Sequence, residues 1–182
     1  VPIDPDKIKA IVISNIVDPI EINDSIDETS ERIGKNLMAF LKKEVSMGRL
    51  PANLLPIEIG LGSIPAATLN ELSNSEFENL EFYSAILNDR VLDLIDQGKV
   101  KTASGAGLLL SPQGEQRFLK NLAHYKKHII LRPVEIADCP EIVMRLGLLA
   151  LNGAIEVDIY GHANSSHIMD GDIISGIGGA SD

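Results

Sequence analysis

The sequence predicts an α/β domain, a mostly parallel sheet flanked by helices with one hairpin. Three observations lead there. Short β-branched runs alternate with segments of helical periodicity, and glycine, proline or serine separates them. The chain is 182 residues long, about one domain's worth and enough to bury a core. Hydrophobic residues make up 45% and charged residues 23%, which suits a globular chain rather than a disordered one.

The elements follow in order. KIKAIVIS at residues 7–14 is apolar and β-branched, and reads as a buried strand. Residues 15–27 are acidic and broken by Pro19, so they read as a linker. Ser25 and Glu28 have capping-box spacing. A helix then runs to about Met47, with Ile33, Leu37, Phe40, Leu41 and Val45 as its apolar face and Gly48 as its stop. Gly34 inside it costs about 1 kcal/mol relative to alanine, which marks it as a point of close packing. A strand at 56–59 enters Gly60-Leu61-Gly62-Ser63-Ile64-Pro65, and a helix follows from Ala66. A strand is expected at 80–84, then a helix capped by Asp89 and ended by Gly98, then a strand at 100–104. Ser111-Pro112 opens a helix reaching about Lys126, 128–131 is a strand, and Pro140 starts a helix ending near Gly147. Asn152-Gly153, between 148–151 and 154–160, is the hairpin signal.

Composition removes several function classes. Lys and Arg total 16 against 26 Asp and Glu, a formal net charge of -10, so the chain lacks the basic face that neutralises phosphates in nucleic-acid binders. No apolar run approaches the ~18–20 residues of a membrane span. The start, VPIDPDK, has no signal-peptide character. The single cysteine, Cys139, allows neither an internal disulfide nor a Cys-based zinc site and fits a reducing, cytoplasmic setting. The absent initial Met and the Gly-rich end lead us to expect a piece of a longer protein.

Two glycine loops have the makings of anion sites. Gly60-Leu61-Gly62-Ser63-Ile64 follows a strand and precedes a helix, so free N–H groups can meet a phosphate or thioester oxygen; an ordinary tight turn is the competing reading. Gly176-Ile177-Gly178-Gly179 can form a nest of donors for an oxyanion, or be simply a flexible end. His162, Asn164, Ser165, Ser166 and His167 read as a polar loop bonding to itself, since the histidine spacing suits no metal. Glu156 and Asp158 share a strand face about 6.6 Å apart, a spacing open to acid–base work or to mere solvation. Asp138 precedes a helix and is read as its cap.

Longer motifs carry a resemblance over essentially the whole chain: PIDPDKI at 2–8, DETSERI at 27–33, GRLPANLLP at 48–56, the G-x-G-x-I loop, NLEFYSAILND at 79–89, LDLIDQGKVKTAS at 92–104 and ILRPVEI at 130–136. The most specific are RLGLLALNGAIEVDIYGHANSSHIM at 145–169 and SGIGGASD at 175–182. The chain resembles the acetyl-CoA hydrolase/transferase family of class I CoA-transferases. The resemblance implies a two-domain protein more than twice this length, with its site between the domains. Residues 1–26 would close the first domain and form the linker, and residues 27–182 would open the second. It further implies a homodimer, acyl-CoA and small carboxylates such as acetate and succinate as substrates, and coenzyme A thioester rather than a bound cofactor.

By the same resemblance Gly60, Leu61, Gly62, Ser63 and Ile64 contact CoA, and Gly179 offers its N–H to the acyl oxygen. The family's nucleophile is a glutamate in Tyr-Thr-Glu, followed by an apolar pair and Gln-Asp. Here the chain reads Tyr83-Ser84-Ala85-Ile86-Leu87-Asn88-Asp89, and Ala85 stands at the nucleophile's position. An alanine methyl forms neither anhydride nor thioester. Glu81 is no substitute, since four residues of strand put it roughly 13 Å away. Asp138 stands at a family asparagine position, and Ser104-Gly105-Ala106-Gly107-Leu108 replaces the family's Ser-Ala-Thr-Ser-Leu. The expectation is a CoA-transferase or acetyl-CoA hydrolase fragment lacking normal transfer chemistry. The alternatives are a non-catalytic CoA-binding or scaffold subunit, a slow hydrolase with Asp138 as general base, and an unrelated phosphate-binding domain.

Overall fold

The structure, a computed structural model, describes residues 4–16, 25–168 and 171–174. After a 3-10 turn at Pro5–Lys7 come α1 (Glu28–Ser46), β1 (Ile57–Ile59), α2 (Ser63–Ser73), β2 (Leu80–Tyr83), β3 (Ile86–Asn88) and α3 (Asp89–Asp96). Next are β4 (Val100–Gly105), β5 (Gly107–Leu109), α4 (Pro112–Lys120), α5 (Leu122–Tyr125) and β6 (Ile129–Leu131). The last are α6 (Val134–Ala137), α7 (Pro140–Leu146), β7 (Leu149–Leu151), β8 (Glu156–Val157) and β9 (Ala163–Asn164).

The main sheet has five strands in the order β6-β4-β2-β1-β7, every pair parallel. The predicted α/β class with its parallel sheet is therefore observed. β3 and β5 form a small parallel pair beside it. One sheet face is apolar: Ile57, Ile59, Phe82 and Ala103 are buried with Leu69 and Leu72 of α2 and Val91, Leu92 and Ile95 of α3. Tyr125 of α5 is wholly buried in the same core, where its hydroxyl donates to Asp96 Oδ2 at 2.9 Å. The opposite face carries Glu58, Glu81, Tyr83, Thr102 and Ser104, because strand side chains alternate. There the α6–α7 crossover lies over the sheet, and the Tyr83 hydroxyl donates to the Ile136 carbonyl at 2.6 Å.

Several local expectations are corrected. Asn152-Gly153 turns no hairpin, because β7 is the parallel partner of β1, with Ile57 opposite Leu149. The hairpin is one turn later, between β8 and β9, where Asp158 closes the loop. Residues 8–16 form no strand; Ile11, Val12 and Ile13 are 80%, 86% and 92% exposed, since neither sheet edge, β6 nor β7, takes up this β-branched run as a partner. Asp27, not Ser25, caps α1 through Ser30 N–H at 2.7 Å, and Asn88, not Asp89, caps α3 through Val91 N–H.

The buried stripe of α1 is also rotated from expectation. Ser30, Gly34, Met38 and Leu41 are buried and Leu37 and Val45 pack beside them, while Phe40 and Ile33 face outward. Gly34 decides this. α1 lies directly on α2, and a β-carbon at Gly34 would stand 3.1 Å from the Ala67 carbonyl carbon and oxygen. The small residue lets the two backbones meet, as the sequence suggested. Gly34→Val must push α1 off α2, and we expect a loss of about 1–3 kcal/mol in denaturant unfolding. Unchanged stability would mean that the α1–α2 contact yields without cost.

Candidate functional site

Five parallel strands deliver five carboxyl ends to one edge of the sheet. The chain steps outward from β1 through β2 and β4 to β6, then returns to β7 on the other side of β1. The β1/β7 boundary is thus the switch point at which open α/β sheets form a crevice. Gly60–Ile64 leaves β1 there, with Gly60 N–H donating to the Leu151 carbonyl at 3.3 Å. A side chain at Gly60 would stand 3.1 Å from Asn152 Oδ1. Gly62 has φ 114°, a conformation that favours glycine, and it caps α2 without any side-chain bond. Among the described residues, the N–H groups of Gly62, Ser63 and Ile64 make no backbone hydrogen bond, and Leu61 is exposed. The loop presents donors and the positive end of an 11-residue helix to solvent.

Ala85 sits half-buried on the neighbouring carboxyl end, between β2 and β3. Its backbone is held on both sides. Ser84 Oγ donates to the Ile59 carbonyl at 3.0 Å, tying this turn to the end of β1, and the Ala85 carbonyl accepts from Ala106 N–H at 2.8 Å. The glycine at 105 has a local reason. A β-carbon there would stand 3.0 Å from the Ser84 carbonyl oxygen and 3.1 Å from the Leu87 side chain. Glu81, pointing to the polar face, pairs with Lys101 at 2.7 Å.

Asp138 lies in the short link between α6 and α7 and caps neither with its side chain. Instead its charge falls on Glu58 and Tyr83, helping to raise the pKa of both. Glu58 is the site residue that sequence reasoning missed. It occupies the polar face of β1, half-buried, and accepts from Asn152 Nδ2 at 2.7 Å. Burial is the main cause that pushes its carboxyl above the ordinary range, with Asp138 adding to it and the hydrogen bonds from Asn152 and Leu151 opposing. A Glu between Ile57 and Ile59 reads as a solvent-facing strand residue; only the pairing of β1 with β7 and the return through α6–α7 reveal its place. Asn152, which the sequence reads as a turn residue, donates to Glu58 and lies beside Gly60 of the glycine loop.

The remaining candidates are not brought into this cluster. Asp158 accepts from Tyr160 and His162 N–H and pairs with His162 Nδ1 at 2.7 Å, bonds that hold its carboxyl below the usual range. Asn164 Oδ1 accepts from Ser166 and His167, so the polar loop does bond to itself. Asp158 serves the turn, and Glu156 accepts from Asn164 Nδ2 at 3.5 Å. Gly176, Ile177, Gly178 and Gly179 lie outside the described residues. Among the described residues no group of three or more His, Cys, Asp or Glu is placed to hold a metal ion, and no helix is long and apolar enough to cross a membrane.

Comparison with known proteins names the scaffold. Residues 114–182 match the acetyl-CoA hydrolase/transferase C-terminal domain. Over all 182 residues the chain is 40% identical to an acetyl-CoA hydrolase of Neurospora crassa, covering 35% of that protein. It is 42% identical over 97% of its length to a succinyl-CoA:acetate CoA-transferase of Clostridium kluyveri, covering 33% of it. The chain is similar over its whole length to members of the acetyl-CoA hydrolase/transferase family. It spans about a third of the length of these relatives. Solved structures share the fold: RipA from Yersinia pestis, at TM-score 0.60 and 20% identity, matches over 84% of this chain and 34% of its own. A 4-hydroxybutyrate CoA-transferase from Porphyromonas gingivalis, at TM-score 0.58 and 18% identity, matches over 78% of this chain and 35% of its own.

The elevated Glu58 pKa has a stability consequence with a definite sign. The folded state holds this proton more tightly than the unfolded chain, so Glu58 loses folding stability as pH rises through its folded-state value. Glu58→Gln cannot lose a proton and keeps an oxygen for Asn152. The stability difference, variant minus wild type, should therefore grow in the variant's favour as pH rises from about 4 to 7. A flat difference across that range in thermal unfolding would contradict the assigned burial of Glu58.

Proposed function

We propose that the chain provides the CoA-thioester cradle of an acyl-CoA:carboxylate CoA-transferase or acetyl-CoA hydrolase, and that with Ala85 it lacks the covalent transfer step. The observation that carries this reading is the Gly60–Ile64 loop, donors outward, at the β1/β7 switch point. Gly62, Ser63 and Ile64 N–H would bind an oxygen of the CoA thioester or its phosphates. Gly60 keeps the backbone open beside Asn152. Gly179 would donate to the acyl oxygen. We further propose that the family's two-domain arrangement holds here, with residues 1–26 closing one domain and 27–182 opening the next, in a cytoplasmic homodimer.

Transfer by a glutamate needs a carboxylate to attack the thioester carbonyl and expel CoA thiolate, giving a mixed anhydride. The thiolate then attacks the glutamyl carbon, expels the other half of the anhydride as a carboxylate and leaves a glutamyl thioester. Ala85 has no oxygen with which to begin. Its backbone is pinned to β1 by Ser84 and to the β4–β5 link by Ala106, which supports reading position 85 as the nucleophile's place. A hydrolytic reading draws support from Asp138, whose carboxylate caps no helix and acts on Glu58. As a base it would take a proton from water attacking the thioester, giving slow release of CoA.

The test uses the protein carrying this chain. With Ala85 we expect no transfer of CoA from succinyl-CoA to acetate above background, and no CoA-mass adduct by intact mass spectrometry after acetyl-CoA. Ala85→Glu should yield the adduct, alone or together with Asp138→Asn if the aspartate is a second defect. Asp138→Asn alone should abolish any slow release of CoA. Gly62→Val should remove CoA binding, the outcome that a non-catalytic binding subunit would share. Robust transfer by the Ala85 protein would sink the reading, since another residue would then carry the thioester.

A further inference from the structure

Two residues before the glycine loop stands a carboxylate that the proposed chemistry does not use. Glu58 lies on the polar face of β1, about 6.6 Å along the strand from Gly60. It is half-buried, and its Oε2 accepts from Asn152 Nδ2 at 2.7 Å. The same Asn152 lies beside Gly60, its Oδ1 3.1 Å from where a β-carbon on that glycine would stand. Among the described residues no cation pairs with Glu58, whereas Glu81 on β2 pairs with Lys101 at 2.7 Å. The groups around Glu58 do not neutralise it. Asp138, in the α6–α7 link, bears on it as a like charge. Tyr83, beside it on β2, keeps its hydroxyl on the Ile136 carbonyl, with a pKa raised chiefly by burial. Cys139, Arg132 and Arg145 bear on Tyr83 rather than on Glu58, and Arg132 is tied to Ser104 Oγ at 2.7 Å. The β7 side offers only the neutral groups of Leu151 and Asn152, and the first turn of α2 carries no charged side chain.

We propose that Glu58 is the proton acceptor coupled to this loop: an anion held by the Gly62, Ser63 and Ile64 N–H groups binds together with a proton, taken from solvent onto the Glu58 carboxylate. The cause is electrostatic. A bound anion and an ionised Glu58 are like charges at one sheet edge, and partial burial of the carboxylate weakens the screening between them. Protonation makes the carboxyl neutral and ends the repulsion. It need not break the Asn152 bond, since a carboxylic acid keeps an oxygen that accepts. Burial and Asp138 already push the Glu58 carboxyl above the ordinary carboxylate range, so little is needed to add the proton. The coupling is reciprocal: the factor by which the anion raises proton affinity is the factor by which the proton raises anion affinity. Anion binding is therefore tightest at low pH and weakens as pH rises through the Glu58 value. Glu58 meets no reacting atom here and acts through its charge alone.

This coupling rests on the proposed function for its ligand, CoA, and the outcomes separate the two. Calorimetry of CoA binding to the protein carrying this chain, from about pH 5 to 8, compares the wild type with Glu58→Gln and Glu58→Met. CoA has a titrating phosphate of its own, and the two neutral variants retain that contribution without Glu58. We expect wild-type affinity to approach that of the variants at the acid end and to fall about tenfold below them at the alkaline end. Midway, buffers of different ionisation enthalpy should show the wild type taking up more protons on binding than either variant. A merely structural role for Glu58 would weaken the variants equally at every pH. A wild-type-to-variant affinity ratio independent of pH, with equal proton uptake, would overturn the proposal and leave the proposed function standing. CoA binding by none of the three proteins at any pH would overturn both.

Discussion

Parallel pairing governs this molecule. A parallel strand gives its carboxyl end to the same edge as its neighbours, so the loops after β1, β2, β4, β6 and β7 must emerge together. The return of the chain from β6 to β7 then opens a crevice on the far side of β1. Ser84 fixes what faces what along that edge. Its buried hydroxyl bonds the carbonyl of Ile59, one residue before Gly60, so position 85 and the glycine loop keep a set relation. The same turn is tied to β4 and the link after it, where Ser84 N–H donates to the Ser104 carbonyl at 3.0 Å and the Ala85 carbonyl accepts from Ala106 N–H at 2.8 Å.

The two faces of the sheet divide the labour. One is a continuous apolar core against α2, α3 and α5, and it supplies the burial that holds the strands together. The other trades burial for chemistry. Glu58, Tyr83 and Ser104 lie on it under a crossover of only two short helices, and each finds a partner in Asn152, Ile136 or Arg132. Buried polar groups of this kind are tolerated because they are hydrogen-bonded.

The β-α-β rhythm, the glycine loop and the close packing at Gly34 were legible because each is a local pattern with one dominant structural solution. Asn152-Gly153 misled for the opposite reason. Its turn signal is local, whereas β7 is fixed by pairing with β1, more than ninety residues earlier in the chain, and tertiary pairing prevails. Residues 7–14 carry strand propensity without a strand to pair with, so propensity alone did not make one. Glu58 and Arg132 were illegible because their meaning depends on which face the sheet turns toward α6 and α7. The available hint was the shared parity of Glu58, Tyr83 and Ser104 along strands that proved adjacent. The departures at Ala85 and Asp138 were visible only against the family pattern, while the physical reason for Gly105 needed the Ser84 carbonyl in place.

The central claim is that the Gly60–Ile64 loop is where CoA is held, whatever chemistry follows. Hydrogen exchange on the protein carrying this chain, with and without saturating CoA, addresses it amide by amide. The account predicts slowed exchange at Gly62, Ser63 and Ile64, the donors that make no backbone bond in the structure. Unchanged exchange at these three amides, with CoA demonstrably bound, would contradict it.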